Sequence, residues 1–298
     1  MPVGGQAVIE GVLMRNGDDI SVAVRRVSDG EIVVKSLEPR KKFIKVSNIP
    51  FVRGLFNLYD MLSTGIRALN LSAEIALEEE EEEFGTKEAV FTTGLALLLS
   101  IGIFVVLPVW ATNNLWGLSE ANAFLFNLVE GFFRIGLFLL YLFGITFFDD
   151  IKRVFEYHGA EHKSVYAYED GKELSVDEAR AYSTLHPRCG TAFLMIVLVV
   201  AILTFSLVGN PPILIKIASR ILLLPVVAGV SYEILRFSGR HTDNPLLKPF
   251  LMPGLMLQKI TTREPSEDQI EVALAALKKV VGTGEGPTNQ RTSDDSSS

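Results

Sequence analysis

The uncharged stretch AVFTTGLALLLSIGIFVVLPVW, residues 89–110, decides the class of protein to which this chain belongs. As an α-helix it is long enough to cross the hydrocarbon core of a bilayer, which takes about 20 apolar residues. The chain has 298 residues and a positive mean hydropathy of +0.31, so this stretch is not an isolated apolar segment. We therefore predict a transmembrane helix here, within an α-helical multi-pass membrane protein.

Three further apolar stretches predict a region of about four transmembrane helices at residues 89–235. Residues 127–148 carry Glu130 and Arg134 one helical turn apart near one end. Residues 191–209 are uncharged and are followed by the helix-breaking sequence NPP. The fourth stretch, residues 213–235, surrounds the apolar sequence ILLLPVVAGVSY with Lys216, Arg220 and Glu233.

The basic residues predict the orientation, because Lys and Arg resist translocation and mark cytoplasmic loops. Residues 111–126 and 210–215 contain neither residue type. Basic residues instead crowd the segment between the second and third spans, at Lys152, Arg153, Lys163, Lys172, Arg180 and Arg188, and precede the first span at Arg25, Arg26, Arg40, Lys41 and Lys42. We predict a cell-membrane location with both termini and the His/Cys loop 149–190 in the cytoplasm, and no secretory signal.

The segments before the first span predict a small cytoplasmic β-rich unit followed by a helix. Residues 1–50 contain the β-branched runs AVIEGVLM, ISVAVRRV and EIVVKSL, and the last two are separated by the turn sequence SDG. Residues 51–88 begin with apolar residues at helical spacing, which predict an amphipathic helix on the membrane surface or on the bundle. An acidic linker, residues 78–83, completes this segment and is expected to be solvated.

The segment after the last span, residues 236–281, predicts a cytoplasmic helix at 267–281. Its start matches a capping box, with Ser266 as the cap and Gln269 reaching back. Residues 282–298 have almost no apolar content to offset the conformational entropy of folding, and predict a disordered tail. The net charge of -7 comes largely from the acidic linker, and nothing indicates a nucleic-acid partner.

The sequence EYHGAEHKSVYAYE, residues 156–169, predicts a metal site. His158 and His162 are four residues apart, so on a helix they share one face with Glu161 nearby. The string His-Gly-Ala-Glu-His fits the inverted zinc-hydrolase pattern H-x-x-E-H, in which the glutamate acts as base. Gly159 opposes a helix here, by about 1 kcal/mol relative to alanine.

A second stretch, HPRCGT, strengthens this prediction because it holds His186 and Cys189, the only cysteine of the chain. Both stretches leave adjacent helix ends on the predicted cytoplasmic side, so His158, His162, His186 and Cys189 are expected to converge on one divalent metal ion. Imidazole and thiolate together favour zinc. The alternative interpretation is two polar surface histidines, a turn histidine and a buried cysteine without a metal.

Four ligands would close the coordination shell, as in a structural zinc site, whereas catalysis needs an open position. The catalytic variant has three of the four ligands and a water molecule, with Glu161 or Glu156 accepting its proton. Lys163 and Arg188 are then candidates for holding an anionic substrate.

Several long strings resemble the YqhQ-like family of bacterial multi-pass membrane proteins. They are GGQAVIEGVLMR at residues 4–15, EYHGAEHKSVYAYE, HPRCGT, AGVSYEILR at 228–236, and PGLMLQKITTREPSEDQIEVALAAL from residue 253. The resemblance implies a metal-dependent enzyme of unspecified substrate, with motif positions His158, Glu161, His162, His186 and Cys189.

Two functions of different class follow from these patterns. The first is a membrane-embedded, metal-dependent hydrolase that acts on a lipid-linked or membrane-proximal substrate. The second is a non-enzymatic membrane scaffold in which a structural metal ties the His/Cys loop to the third span. A transporter ranks below both, because the predicted spans lack paired broken helices in corresponding halves. The sequence makes no prediction of the oligomeric state.

Overall fold

The computed structural model describes residues 3–39, 51–77, 86–115, 122–209, 211–240 and 248–282. The predicted acidic linker and the predicted tail beyond residue 282 lie outside these ranges. Within them the chain forms four strands, β1 Gly4–Val8, β2 Gly11–Asn16, β3 Asp19–Arg25 and β4 Ile32–Leu37. The helices are α1 Val52–Leu77, α2 Thr86–Ile101, α3 Leu107–Asn114, α4 Ala123–Ile145, α5 Asp149–Glu169, α6 Val176–Arg180, α7 Thr191–Ser206, α8 Ile213–Leu222, α9 Leu224–Arg240, α10 Lys248–Thr261 and α11 Glu267–Val281.

The N-terminal strands form the predicted antiparallel sheet, in the order β1-β2-β3-β4. The run AVIEGVLM is a hairpin rather than one strand, because Ile9 and Glu10 form a two-residue turn between the paired residues Val8 and Gly11. Glu10 adopts a positive φ of 49°, the left-handed conformation that tight hairpin turns require. The apolar pattern alone did not distinguish this turn from a continuous strand.

The central strands β2 and β3 are buried on both faces of the sheet. Successive side chains of a strand point to opposite faces, so alternate residues of β2 and β3 reach two different cores. One core lies against α1, and consists of Val8, Leu13, Ile20, Val22, Val24, Ala68, Ile75 and Ala76. The other lies against α5 and α11, and includes Val12, Met14, Ala23, Tyr157, Ala160, Ile270, Ala273, Leu274 and Leu277. The result is a three-layer unit of helix, sheet and helices.

Helices α1 and α11 confirm two predictions from the sequence. Helix α1 begins one residue after the predicted start, and it packs against α9 as well as the sheet. Helix α11 begins with the predicted capping box, in which the Ser266 hydroxyl accepts from the Gln269 amide and the Gln269 side chain accepts from the Ser266 amide. Gly282 ends it with a positive φ of 78°.

The sequence predicted four membrane spans, but fewer of the described helices are both long enough and apolar enough to cross a membrane. In the described part of the chain, Phe91–Asn114 and Ala123–Ile145 are each long and apolar enough to cross a membrane. The first includes a π-helical turn at Gly102–Val106. Helix α8 and residues Leu224–Ser238 of α9 are long and apolar enough to cross a membrane only if both form one span. That span would be bent by 45°, with Pro225 just after the break. Helix α7 has 16 residues, about 24 Å, which is shorter than the roughly 30 Å hydrocarbon core.

The end of α10 crosses α5 at close range and connects the apolar helices to the three-layer unit. The Arg263 amide donates to the Phe155 carbonyl at 2.9 Å. A Cβ atom on Gly159 would lie 2.0 Å from the Arg263 carbonyl oxygen. The structure therefore explains the helix-weakening glycine of the HGAEH string, since no larger residue fits beneath the crossing segment.

Replacement of Gly159 with alanine is predicted to push this segment away from α5. We expect a loss of about 1–3 kcal/mol in the free energy of unfolding, the usual cost of overpacking, measured by thermal unfolding in detergent. Gly136→Ala is the matched control, because this glycine also lies within a helix but a Cβ atom added to it would have no neighbouring atom within 4 Å. Equal stability of the two variants would contradict the crossing described above.

Candidate metal centre

Helix α5 carries the histidines and the glutamate of the HGAEH string on its buried part. Asp149 and Asp150 occupy its first turn, where acidic side chains stabilise the helix dipole. Residues from Tyr157 onward are mostly buried against the sheet and α11, and the exposed fractions of Glu161 and His162 are 6% and 2%. Buried polar side chains need partners, so their hydrogen bonds define the chemistry of this region.

The HPRCGT turn is fixed beside α5 by α10. The Gln258 side chain accepts a hydrogen bond from the His186 amide at 2.8 Å and donates to the His186 carbonyl at 2.9 Å. The Cys189 amide then donates to the same carbonyl at 3.2 Å, which closes the turn just before α7. These bonds position the Cys189 thiol over α5.

Three of the four residues predicted as ligands converge. His158 Nε2 lies 3.2 Å from Cys189 Sγ, and one ligand atom from each of His158, His162 and Cys189 lies within 4.8 Å of the other two. Ligands around a tetrahedral zinc ion are about 3.4–3.7 Å apart, as follows from metal bonds of 2.0–2.3 Å. A contraction of about 1 Å would therefore bring the widest pair into coordination range.

Backbone carbonyls orient both imidazoles. His158 Nδ1 lies 2.8 Å from the Thr261 carbonyl, and His162 Nδ1 bonds the Thr184 carbonyl. A carbonyl only accepts, so both Nδ1 atoms carry the proton and both Nε2 atoms present a lone pair. Metal-binding histidines are typically held in this way by a second partner.

The surroundings of the His162 Nε2 atom show best whether a metal ion fits these three residues. This atom is buried and has no hydrogen-bond partner among the described residues, although a buried polar atom of this kind ordinarily costs about 1–3 kcal/mol. Burial lowers the pKa of His162, an effect that nearby Cys189 opposes. The neutral imidazole, which is the metal-binding form, therefore persists below the usual titration range. The donor set of two imidazoles and one thiol fits zinc.

His186 lies beside this set rather than within it. Its Nε2 is 3.3 Å from a Glu169 carboxylate oxygen, and its Nδ1 accepts from the Arg188 amide at 3.2 Å. Both ring nitrogens thus have protein partners, and its ring centroid is 5.7 Å from that of His162. The structure brings together three of the four expected ligands and gives the fourth a different set of contacts.

Glu161 lines a small cavity next to the three ligands. The cavity has a volume of about 80 Å³ and is bounded by Glu161, His162, Cys189, His186, Arg188 and the start of β1. The Gly5 amide donates to the Glu161 carboxylate at 2.9 Å, and a Cβ on Gly5 would lie 3.0 Å from Glu161 Cγ. Burial raises the pKa of Glu161, while the nearby His158 and His186 oppose the shift. A raised pKa suits a carboxylate that accepts and returns a proton near neutral pH.

The other predicted site residues have different partners. Glu156 accepts a hydrogen bond from Gln269 at 2.8 Å and so joins α5 to the capping box of α11. Lys163 donates to the Arg180 carbonyl at 2.8 Å and pairs with Glu264 at 2.6 Å. Neither lines the cavity. Arg188 does line it, and its guanidinium pairs with Glu169.

The residues that the sequence did not indicate are those that orient the ligands. Thr184 and Thr261 act through backbone carbonyls, which any residue type provides, so their identity gives no signal. Gln258 and Gly5 lie in strings that resemble the family, QKITTREP and GGQAVIEGV, but neither string has a recognisable catalytic spacing. Only the fold places them at the site.

Residues 49–283 match the family described as "Protein of unknown function (DUF1385)". This chain belongs to that family. It is 34% identical over 293 residues to the "Uncharacterized protein YqhQ" of Bacillus subtilis (strain 168), covering 93% of this chain and 92% of that protein. No solved structure matches. The resemblance noted from the motifs is therefore confirmed at the level of the family.

We expect metal binding to depend on His158, His162 and Cys189 but not on His186. Elemental analysis of the detergent-purified protein should find about one zinc ion per wild-type chain. His158→Ala, His162→Ala and Cys189→Ala should each strongly reduce the zinc content. Loss of a group that merely orients a metal ligand already lowers metal affinity by about 10-fold or more, and loss of the ligand itself should cost at least as much. His186→Ala is the matched control, and loss of metal in this variant would show that four ligands are needed.

Proposed function

We propose that this protein is a membrane-embedded, metal-dependent hydrolase with a cytoplasm-facing active site. The observation that carries the proposal is the buried His162 Nε2, which no described residue hydrogen-bonds and which lies with His158 and Cys189 beside a carboxylate-lined cavity. Three protein ligands leave a coordination position for a water molecule, as in catalytic rather than structural zinc sites. The bound ion would supply a Lewis acid and a water of lowered pKa.

The residues of the chain supply positioning and proton transfer. The Thr261 and Thr184 carbonyls accept from Nδ1 of His158 and His162 and leave each Nε2 as the ligand atom. Of the two histidines, His162 lines the cavity. Glu161 lies between the two histidines in sequence and accepts from Gly5 with one carboxylate oxygen. The other oxygen is then the base that takes a proton from the attacking water and returns it to the leaving group. Arg188, at the cavity wall, would bind an anionic part of the substrate.

Exposed apolar surface supports the membrane location. Large side chains of the two candidate spans are 45–70% exposed in the isolated chain: Phe91, Leu95, Leu97, Leu98, Leu99, Phe132, Leu140 and Phe143. Such a surface is unfavourable in water and suits lipid. Cys189 directly precedes the apolar helix α7, so a substrate would be membrane-proximal or lipid-linked.

A scaffold with a structural metal is the second candidate. It is favoured by the origin of the ligands, since the two histidines lie on α5 of the three-layer unit and Cys189 lies at the start of the apolar helix α7. An ion held by these three residues would tie the two parts of the molecule together. The two candidates differ in what Glu161 must do.

Replacement of Glu161 with glutamine should separate them. For a hydrolase we expect metal to be retained and turnover to fall by about 10²–10⁴-fold, the usual contribution of a general base. Turnover would be screened with chromogenic p-nitrophenyl esters and phosphates on protein in detergent, after zinc reconstitution. Glu156→Gln is the matched control on the same helix and should retain turnover, because Glu156 bonds Gln269 instead.

Activity that survives Glu161→Gln unchanged would exclude this residue as the base. Stoichiometric metal together with no turnover on any ester or phosphate, and a fall in thermal stability when the metal is removed, would favour the scaffold.

The predicted orientation can be tested separately. Fusion of a fluorescent protein to the C-terminus should give fluorescence, because that reporter folds in the cytoplasm, whereas an alkaline phosphatase fusion at the same position should be inactive. A fusion within residues 116–121, between the first two spans, should show the reverse pattern. Active phosphatase at the C-terminus would contradict the proposed topology.

A further inference from the structure

A second group of buried charges lies at the opposite end of the apolar helices from the metal centre. Glu130 and Arg134 lie on α4, and Lys216 and Arg220 lie on α8. The group meets Phe205, near the end of α7, whereas Cys189 precedes the start of that helix. The two groups are therefore separated by roughly 20 Å of helix.

All four side chains are withdrawn from solvent. Their exposed fractions are 1% for Glu130 and Arg220, 2% for Lys216 and 8% for Arg134. Ionised side chains in apolar surroundings are costly unless they are paired, and in membrane proteins they mark functional sites by default. The balance of charge in this group is therefore informative.

The two arginines share one carboxylate. Arg220 donates to Glu130 at 2.6 Å and also bonds Asn127 Oδ1. Arg134 pairs with the same carboxylate and donates to the Phe104 carbonyl at 2.9 Å. Both guanidinium groups lie over the Phe205 ring, at 4.6 Å for Arg220 and 5.3 Å for Arg134. These contacts fix both guanidinium groups in position. Together the two groups have more N–H donors than the oxygen atoms around them accept.

Lys216 adds a third cation. Its ammonium lies 3.7 Å from the centroid of the Phe126 ring, and no described side chain or carbonyl accepts a hydrogen bond from it. An ammonium has three donors, and an aromatic face satisfies them only in part. Among the described residues, three cations therefore face one carboxylate, which leaves two positive charges unbalanced.

We propose that this group, Glu130, Arg134, Lys216 and Arg220, is a binding site for a phosphate group. Two unbalanced positive charges match a phosphate, and preorganised guanidinium and ammonium donors match its tetrahedral oxygens. The phosphate belongs either to an anionic lipid headgroup or to a free phosphate ion. The site goes beyond the proposed hydrolase, requires no metal and shares no residue with the metal centre.

The test uses the full chain in a maltoside detergent, which carries no phosphate. Thermal unfolding is followed as sodium phosphate is added, with sodium chloride at equal ionic strength as reference. A parallel series adds phosphatidylglycerol, with a galactolipid of the same acyl chains as reference. A ligand that binds only the folded state raises the unfolding temperature in proportion to its occupancy, so each series yields an affinity.

Lys216→Met is the informative variant, because loss of this ammonium leaves no hydrogen-bond acceptor unpaired. We expect phosphate or phosphatidylglycerol to bind at least tenfold more weakly to it than to the wild type. Without either ligand, the variant should be at least as stable as the wild type, since an unbalanced buried charge has been removed. Lys152→Met, which removes a partly exposed lysine paired with Asp149, is the matched control and should bind like the wild type.

A shift with sodium phosphate identifies the free ion as a sufficient ligand, and a shift with phosphatidylglycerol alone identifies the lipid headgroup. The proposal is overturned if neither ligand shifts the wild type beyond its reference, or if Lys216→Met and the wild type bind equally. Loss of stability in ligand-free Lys216→Met would instead assign this lysine a purely structural role.

Discussion

The close crossing of α5 by the segment that follows α10 is the constraint on which the rest of the structure depends. Because Gly159 has no side chain, the Thr261–Arg263 backbone can approach near enough for the Arg263 amide to bond α5 and for the Thr261 carbonyl to orient His158. One turn earlier, Gln258 fixes the HPRCGT turn through two hydrogen bonds. The same contact therefore joins the apolar helices to the three-layer unit and brings His158, His162 and Cys189 together. A helix-weakening residue is retained at the point where it is structurally required.

Most of this fold could be predicted from residue patterns, because period and polarity are local properties. The helix of residues 52–77, the capped helix of 267–281 and an N-terminal antiparallel sheet were all predicted, as were two apolar helices long enough to span a bilayer. The hairpin inside AVIEGVLM was missed because Glu10 is an unusual residue at a positive φ. Four spans were predicted, and in the described part of the chain two helices, or three if the bent pair is one span, are long and apolar enough to cross a membrane. Composition does not reveal where a helix ends or bends, as at Ser206 and Pro225.

The candidate site could be predicted only in part, for the same physical reason. Spacing indicated that His158, Glu161 and His162 share a helix face, and rarity singled out Cys189. Spacing could not show that His186 has both ring nitrogens engaged by Glu169 and Arg188, nor that Glu156 turns toward α11. At the proposed phosphate site the residues themselves could be recognised in the sequence, but their arrangement could not. Glu130, Arg134, Lys216 and Arg220 were visible as charges within apolar stretches, but their mutual balance depends on helices far apart in the chain.

The hydrogen bonds of the candidate metal centre also have a consequence for the order of its assembly during synthesis. Gly5, which bonds Glu161, is made first, whereas Thr261, which orients His158, is made after every candidate membrane helix. Nearly the whole chain must therefore be synthesised before the His158 imidazole can acquire this orientation. A chain that ends before α10 would therefore lack both the carbonyl that orients His158 and the Gln258 side chain that fixes the HPRCGT turn.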